Sequence, residues 1–257
     1  MGSTTRARAA LLLALCLSPS AASSQSAPAI QQLNDAIVFD LFLNYELTEK
    51  NGNLSTLMDY LPRRGSSPFR KVEMSSNYGE EDESTVFMYG DRGRLERIDY
   101  RRGDRLFVYE VSYDAGRPVS IAVGGRKRID LTYRSDTLVA ITRERNGALF
   151  EYALDYRSGE KRADIRLVRV MNGKRSKSSS PYFVGWDDRR RITAFSLDVY
   201  TGRDITYSDA GDVATFAYFV NDEQRTASWD HVRDAKSNWT ERRFKKLLVK
   251  RNIQYVP

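Results

Sequence analysis

The sequence predicts a mainly β protein in which consecutive antiparallel β-hairpins form one curved meander sheet, with a short N-terminal helix as one option. Two observations predict it: a turn motif recurs along the chain, and apolar and polar residues alternate between its copies. The motif is clearest at residues 113–121, where a strand would end, turn tightly and lead into the next strand. Gly116 suits the turn because glycine takes positive φ without steric cost, and the Asp114 carboxylate can bond the backbone just downstream.

Imperfect copies of this motif occur along the chain. Each has an aromatic residue, an Asp soon after it, and two apolar residues three positions apart just beyond the turn, except that Pro118 takes the first apolar place in the stretch above. The apolar pairs begin at positions 95, 118, 138, 192 and 213, and a weak copy near Ile165 fills the largest gap. Spacings of roughly two dozen residues are typical of an array of hairpins.

Residues 1–24 have the layout of a cleaved secretory signal peptide. Arg6 and Arg8 precede an apolar run at 9–17, and small residues follow up to Ser24. The apolar run is too short to span a bilayer, and no later stretch approaches the required length. We therefore predict a secreted or periplasmic protein that does not span a membrane. The only cysteine, Cys16, lies in this segment, so the processed chain would depend on its core instead of on disulfides.

Residues 25–69 form a separate N-terminal segment whose structure the pattern leaves open. Ile30, Leu33 and Ile37 fall near helical spacing, whereas alternate residues from Ile37 to Leu47 are apolar, which is typical of a strand. One solution is a helix to about Ile37 that runs into a long strand. Residues 62–68 are predicted to be a loop, because proline, glycine and serine dominate there.

Residues 70–257 are predicted to be the hairpin array itself. Strict alternation, as in residues 107–113 and 150–156, indicates an antiparallel sheet with one buried and one wetter face. Near the end of the chain, residues 234–242 would open a strand, Lys245 and Lys246 would form a turn, and residues 247–256 the returning strand. Exposed edge strands of such a sheet could pair between chains and give a homodimer.

The turn at 113–117, its copies, and the Asn-Trp-Thr-x-Arg element at 238–242 resemble the YD repeats of RHS-type bacterial secreted proteins. The resemblance covers roughly residues 84–257 and implies consecutive hairpins in one long, curving antiparallel sheet. Large members of that family close the sheet into a shell around a toxin, whereas small ones are mostly secreted or periplasmic. This chain lacks glycine in several of the turns and is far too short for such a shell, so the resemblance does not imply toxin delivery.

Residues suited to catalysis or metal binding are few. His231 lies beside Asp230 and near Asp234, but without a second histidine or a cysteine in the processed chain no zinc ligand set is present. We expect His231 to be a surface residue in a polar loop, and the acidic pair at 187–188 to serve a turn. No catalytic residue, metal ligand or cofactor is therefore assigned, and an enzyme with carboxylates around His231 or Asp187 is the least favoured class.

The candidate ligand-binding residues form an aromatic ladder. Tyrosine and tryptophan offer an apolar face with a polar tip, which suits a glycan or a peptide. The same residues could equally be the core-facing row whose cross-strand pairs fix the register of the sheet. The ladder consists of Tyr109, Tyr113, Tyr133, Tyr152, Tyr156 and Trp186.

The charge balance leaves several partners open. The chain has 41 Lys and Arg against 34 Asp and Glu, well mixed along the sequence, which suits a solvated sheet face and loose attraction to anionic molecules. We predict a non-enzymatic protein that presents a sheet surface to a protein or to a cell-envelope glycan or lipid, and no nucleic acid partner. The alternative is a periplasmic carrier whose half-open curved sheet, covered by the N-terminal segment, holds a lipid or a lipoprotein tail.

Overall fold

The computed structural model describes residues 37–39, 41–43, 69–76, 83–90, 93–157, 160–178, 181–189, 191–197, 200–220, 223–245 and 247–256. The predicted signal peptide at 1–24, the predicted loop at 62–68 and most of the N-terminal segment at 25–69 lie outside these residues.

The described residues from 69 onward form 18 strands. In chain order these are β1 Phe69–Ser76, β2 Glu83–Tyr89, β3 Leu95–Arg102, β4 Arg105–Asp114, β5 Arg117–Val123, β6 Arg126–Arg134, β7 Thr137–Arg145, β8 Ala148–Tyr156, β9 Arg162–Met171, β10 Lys174–Lys177, β11 Tyr182–Trp186, β12 Ile192–Leu197, β13 Tyr200–Tyr207, β14 Val213–Val220, β15 Glu223–Ser228, β16 Asp230–Arg233, β17 Trp239–Phe244 and β18 Leu247–Tyr255.

The strands form a nearly closed antiparallel ring. Each strand from β1 to β9 pairs with the next one along the chain. One half of β9 pairs with β10 and the other half with β11, after which the meander continues to β15. One residue after β15, β16 pairs with β17, β17 pairs with β18, and β18 returns to β1. The predicted fold class is confirmed, and the sheet closes further than the half-open form that the carrier alternative assumed.

Closure of the ring also bears on the predicted homodimer. β1 and β18 are the first and last strands of the array, and they pair with each other from Phe69 opposite Tyr255 to Ser76 opposite Val249. The two edges that an open meander would expose are therefore joined within one chain. Dimerisation stays a prediction, and it would need a surface other than these two edges.

Successive turns alternate between the two ends of the ring because the strands are antiparallel. All the predicted aromatic-Asp turns fall at one end, which we call the tyrosine end; it includes the turns at 90–94, 115–116, 135–136, 187–191, 208–212 and 234–238. The other end, which we call the basic end, includes the turns at 103–104, 124–125, 146–147 and 172–173. The sequence repeat of about two dozen residues is therefore one complete passage down and up the ring.

Five of these hairpins turn within two residues that both have positive φ. Asn146 and Gly147 have φ of 49° and 73°, and both central residues of a type I′ turn need positive φ. The turn at 135–136, where glycine is missing, has the same geometry, with Ser135 at 46° and Asp136 at 68°. Asparagine and aspartate tolerate this region better than other residues with side chains. This explains why the copy without glycine still turns.

Replacing Gly147 with alanine should lower the free energy of unfolding by about 1–2 kcal/mol, because a Cβ is strained at its φ of 73°. No atom lies within 4 Å of that Cβ position, so the effect isolates backbone strain from crowding. Gly185 is the matched control: it lies in β11, and a Cβ there meets its nearest neighbour at an ordinary 3.7 Å. Urea denaturation of both variants tests this, and an equal loss at the two positions would contradict it.

The interior of the ring is filled mainly by apolar side chains, while most charged side chains lie on the outside. Along β3, Ile98 and Tyr100 are fully buried, whereas Asp99 and Arg101 remain accessible to solvent. The first and last apolar pairs of the repeat occupy equivalent environments: Leu95 and Ile98 are 4% and 0% exposed, and residues 213 and 216 are each 2% exposed. The apolar pair of the hairpin repeat is therefore buried in the core in both its first and its last copy.

The N-terminal segment contributes a buried helical piece at residues 37–39 and 41–43. All six of these residues are apolar and less than 9% exposed, and the ring of Phe42 meets that of Tyr152 edge-on at 4.8 Å. Of the two options that the sequence left open, the helix is confirmed over residues 37–39 and 41–43, and the strand from Ile37 onward is wrong there. Alternation is a weak signal here, because Val38 and Phe42, two of the three residues between, are apolar as well.

Candidate binding cleft at the basic end

The tyrosines of the repeat tie each hairpin to the one before it. The hydroxyls of Tyr113, Tyr133 and Tyr207 donate to the backbone carbonyls of Leu95, Pro118 and Ile192, at 2.8, 3.0 and 2.7 Å. Each of these carbonyls belongs to the first residue of the preceding apolar pair. The repeated tyrosine therefore has a structural role that its sequence spacing could have revealed.

An arginine covers each of these tyrosine rings. The guanidinium carbons of Arg94, Arg117 and Arg191 lie 5.6, 5.7 and 4.4 Å from the ring centres of Tyr113, Tyr133 and Tyr207. Each arginine directly precedes the residue whose carbonyl accepts the tyrosine hydroxyl. The unit of the repeat is thus an arginine, a carbonyl and a tyrosine, with a cation–π contact added to the hydrogen bond.

Removing the hydroxyl of Tyr207 should lower the free energy of unfolding by about 0.5–1.5 kcal/mol, the usual net contribution of one hydrogen bond. Tyr207→Leu should lose more, because it also removes the ring under Arg191. Thermal and urea unfolding of Tyr207→Phe and Tyr207→Leu test this. Equal losses in the two variants would show that the ring contact contributes nothing.

The predicted aromatic ligand residues all lie in or against the core. Tyr109, Tyr152 and Trp186 are 0%, 1% and 7% exposed, whereas Tyr113, Tyr133 and Tyr156 are half-buried. They belong to strands β4, β6, β8 and β11, and they line the inside of the ring instead of one open outer surface. Binding of a ligand by these side chains stays a prediction.

The structure confirms the role predicted for Asp187 and contradicts the one predicted for His231. Asp187 accepts bonds from the backbone N and the Nε of Arg191, at 2.9 and 2.7 Å, so it serves the turn as predicted. His231 is not in a polar loop: it lies in β16, half-buried, with its ring 6.2 Å from that of Trp239. The loop was predicted from the polar residues around His231. A short strand of alternating polarity also places polar residues on both sides of a half-buried one.

His231 belongs to a buried cluster of cations and tryptophans on the inner wall. Arg242 is 0% exposed, and its guanidinium carbon lies 4.4 Å from the ring centre of Trp229 and 4.9 Å from that of Trp239. Arg251 covers Trp239 at 3.5 Å. The sequence did not predict this cluster, because its members come from β16, β17, β18 and the residue between β15 and β16.

At the tyrosine end, Tyr255 is held by the turn at 234–238. Its hydroxyl donates to Asp234 at 2.6 Å and accepts from the Asn238 amide at 2.7 Å. Burial, and then the bond to the Asp234 carboxylate, raise the pKa of Tyr255 to about 12. The neutral phenol is therefore favoured in the folded protein.

Stability should fall as the pH rises from about 10 to about 12. The pKa of Tyr255 is about 10 in the unfolded chain and about 12 in the folded protein, so its contribution is complete below the lower value and is lost through the upper one. Tyr255→Phe should remove this part of the alkaline loss. Urea unfolding at a series of alkaline pH values checks it, and an unchanged profile in the variant would contradict it.

An open polar cleft of about 600 Å³ lies at the basic end, where β18, β1, β2 and β3 are neighbours. Its floor is the end of four adjacent strands, and its side is the turn between β3 and β4. The lining residues are Ser75, Ser76, Glu83, Ser84, Arg101, Gly103, Asp104, Leu248 and Lys250.

One outer row of the cleft runs straight across the four strands. Lys250 lies opposite Ser75, Ser75 opposite Ser84, and Ser84 opposite Arg101. Side chains opposite each other on antiparallel strands stand roughly 5 Å apart at Cβ. Two hydroxyls, each able to donate and accept, therefore stand between two cationic donors.

Glu83 lies beside this row on the inner side and is 6% exposed. The hydroxyl of Tyr100 donates to its carboxylate at 3.2 Å, and Nε of Arg102 lies 3.6 Å from the same oxygen. The carboxylate is thus held in place at the edge of the cleft. No local motif marks these residues in the sequence, because β18 and β1 become neighbours only when the ring closes.

Among the residues that the structure describes, no group of three or more His, Cys, Asp or Glu is arranged to hold a metal ion. No helix in the same residues has the length and apolar content needed to cross a bilayer.

The chain was compared with known proteins. No family model and no curated protein sequence matches it. A crystal structure of a porin-like protein from Bacteroides uniformis is similar, with a TM-score of 0.50, 12% identity, and coverage of 74% of this chain and 99% of that one. A porin-like protein from Bacteroides vulgatus gives a TM-score of 0.45 at 12% identity, over 75% and 100% of the two chains. The first likeness shows a shared barrel-like fold, and the YD-repeat resemblance stays a prediction.

Proposed function

We propose that this chain is a non-enzymatic secreted or periplasmic β-repeat protein that binds carbohydrate on the outer face of its sheet, in the cleft at the basic end. The observation that carries the proposal is the row from Lys250 through Ser75 and Ser84 to Arg101. A sugar presents several hydroxyls that both donate and accept, and this row offers matching groups at regular spacing. The signal-peptide pattern at 1–24 supports the compartment.

Three features of the cleft favour an extended saccharide over a small apolar ligand. The cleft is open along the outer face, and its groups come from four strands of a sheet, which is a rigid support. One of its two acidic residues, Glu83, is held in place by Tyr100 at the edge of the cleft. Apart from Leu248, the side chains that line the cleft are polar.

The alternative of a lipid carrier is weaker. A carrier needs apolar space inside the ring, and the helical piece at 37–43 packs there against Tyr152 as part of one continuous core. A lipid chain would have to displace that piece first. We therefore do not propose a carrier.

Binding of purified bacterial envelope polysaccharides to the processed protein, measured by biolayer interferometry, tests the proposal. Ser75→Ala with Ser84→Ala should weaken binding by about tenfold, the effect of losing two hydrogen bonds. Thr206→Val with Thr215→Val is the matched control, since these hydroxyls meet at 2.6 Å on another part of the exposed surface. Absence of saccharide binding, or equal losses in both double variants, would refute a saccharide site in the cleft.

A further inference from the structure

The two ends of the ring differ in how many of their charged side chains form ion pairs between neighbouring turns. At the tyrosine end, ion pairs join neighbouring turns: Arg117 to Asp136 at 2.8 Å, Lys161 to Asp188, and Arg233 to Asp212. The bond from Arg117 lowers the pKa of Asp136, which favours the charged form of this pair. The charges at this end are thus largely matched within the protein.

At the basic end, cations project from the tips of successive hairpins. Arg105, Arg126 and Lys174 are exposed and form no ion pair with any other described residue. They follow the turns at 103–104, 124–125 and 172–173. Two exposed acids, Asp104 and Glu144, lie on the same arc and leave it with an excess of positive charge.

Large apolar side chains are exposed beside these cations. Leu106, Leu149 and Met171 are 49%, 38% and 44% exposed, and each lies within two residues of a turn at the basic end. Five large apolar residues are this exposed among the described residues, and three of the five are here. Exposed apolar groups that cluster on one part of a surface indicate an interaction site.

The cations and the apolar residues share one arc of the ring. The arc runs over the tips of the hairpins β3–β4, β5–β6, β7–β8 and β9–β10, which are consecutive along the sheet. Neighbouring tips are two strands apart, roughly 10 Å. The arc is therefore a wide surface patch of exposed cations with exposed apolar side chains between them.

We propose that this arc docks the protein on an anionic phospholipid surface. Exposed cations would meet the phosphates of the headgroups, and Leu106, Leu149 and Met171 would enter the boundary between headgroups and acyl chains. This inference goes beyond carbohydrate binding in the cleft. The cations and apolar residues that it uses do not line the cleft, although Asp104 belongs to both regions, and it describes attachment to a surface without any spanning segment.

The apolar residues decide between a lipid surface and a soluble polyanion. An acidic polysaccharide or a nucleic acid would satisfy the cations but would leave the two leucines in water. A bilayer surface satisfies both, since anionic headgroups attract basic residues at about 1 kcal/mol each and the boundary region accepts short apolar side chains. The mixture of the two residue types on one arc thus favours lipid.

Co-sedimentation of the processed protein with vesicles of phosphatidylcholine and phosphatidylglycerol tests the inference. The protein should bind these vesicles and not vesicles of phosphatidylcholine alone. Arg105→Gln, Arg126→Gln and Lys174→Gln together should weaken binding by about 100-fold. Leu106→Ser with Leu149→Ser should weaken it by about tenfold. Salt at about 1 M, where the Debye length is about 3 Å, should release the protein.

Arg134→Gln with Arg189→Gln is the matched control, because these exposed arginines lie at the tyrosine end. It should leave vesicle binding unchanged, and so should the cleft variant Ser75→Ala with Ser84→Ala. Equal binding to both kinds of vesicle, an equal loss in the control, or binding to a soluble acidic polysaccharide with none to vesicles would overturn the inference. Circular dichroism of each variant verifies that the ring is folded, so that a loss is read as a loss of binding.

Discussion

Replacing Trp239 with alanine should lower the free energy of unfolding by about 3–5 kcal/mol, the usual range for removing a fully buried tryptophan. Trp239 is 0% exposed. Arg251 and Arg242 cover its ring at 3.5 and 4.9 Å, and the ring of His231 lies 6.2 Å away. Truncation would therefore leave a cavity and remove an aromatic face from two buried cations at once.

Urea denaturation followed by circular dichroism measures this loss. Trp239→Phe is the matched control, since it keeps an aromatic face under both arginines and should lose clearly less. A loss below about 1 kcal/mol for the alanine variant would be typical of an exposed position. Such a result would show that the Trp239 side chain is not part of the core.

Leu41→Ala and Leu43→Ala should each lower the free energy of unfolding by about 2–5 kcal/mol. The two side chains are 1% and 0% exposed and belong to the helical piece inside the ring. The effect is large because the surrounding strands form a nearly closed wall, which cannot easily collapse onto the space that is left.

Val232→Ala is the comparison for this pair, because Val232 is 57% exposed on β16. A change within about 0.5 kcal/mol is expected there. If the leucine variants unfolded at the same urea concentration as the unsubstituted protein, the helical piece would not belong to the core. The lipid-carrier alternative would then regain support.

The hairpin array could be predicted because its signals are local. Alternation along residues 107–113 and 150–156 acts within a few positions, and it led to the correct strands β4 and β8. The apolar pairs at 95 and 213 also have the same environment, as the repeat implied. Closure of the ring was not predicted, because pairing of β1 with β18 depends on the summed twist and bend of all the strands between them.

The candidate cleft could not be predicted for the same reason. Ser75, Ser84 and Lys250 are ordinary polar residues of half-exposed strands, and only the closed ring sets them side by side. The cluster of buried tryptophans could not be predicted for another reason. Trp239 was recognised as part of a repeat copy, but its contact with Arg251 requires that both side chains, on β17 and β18, point into the ring. Alternation gives which residues of one strand share a face, but it does not say which residues of two different strands meet.

Closure between β1 and β18 has a consequence for how the protein is made. Asn252 donates to Glu73 across that seam, and the two residues are 179 positions apart. The first strand of the ring thus has no second partner until the last strand has left the ribosome, and long-range pairing of this kind is slow. A chain that ends before β18 would keep an open strand edge, ready to join another copy. Premature termination would therefore convert a closed ring into a template for aggregation.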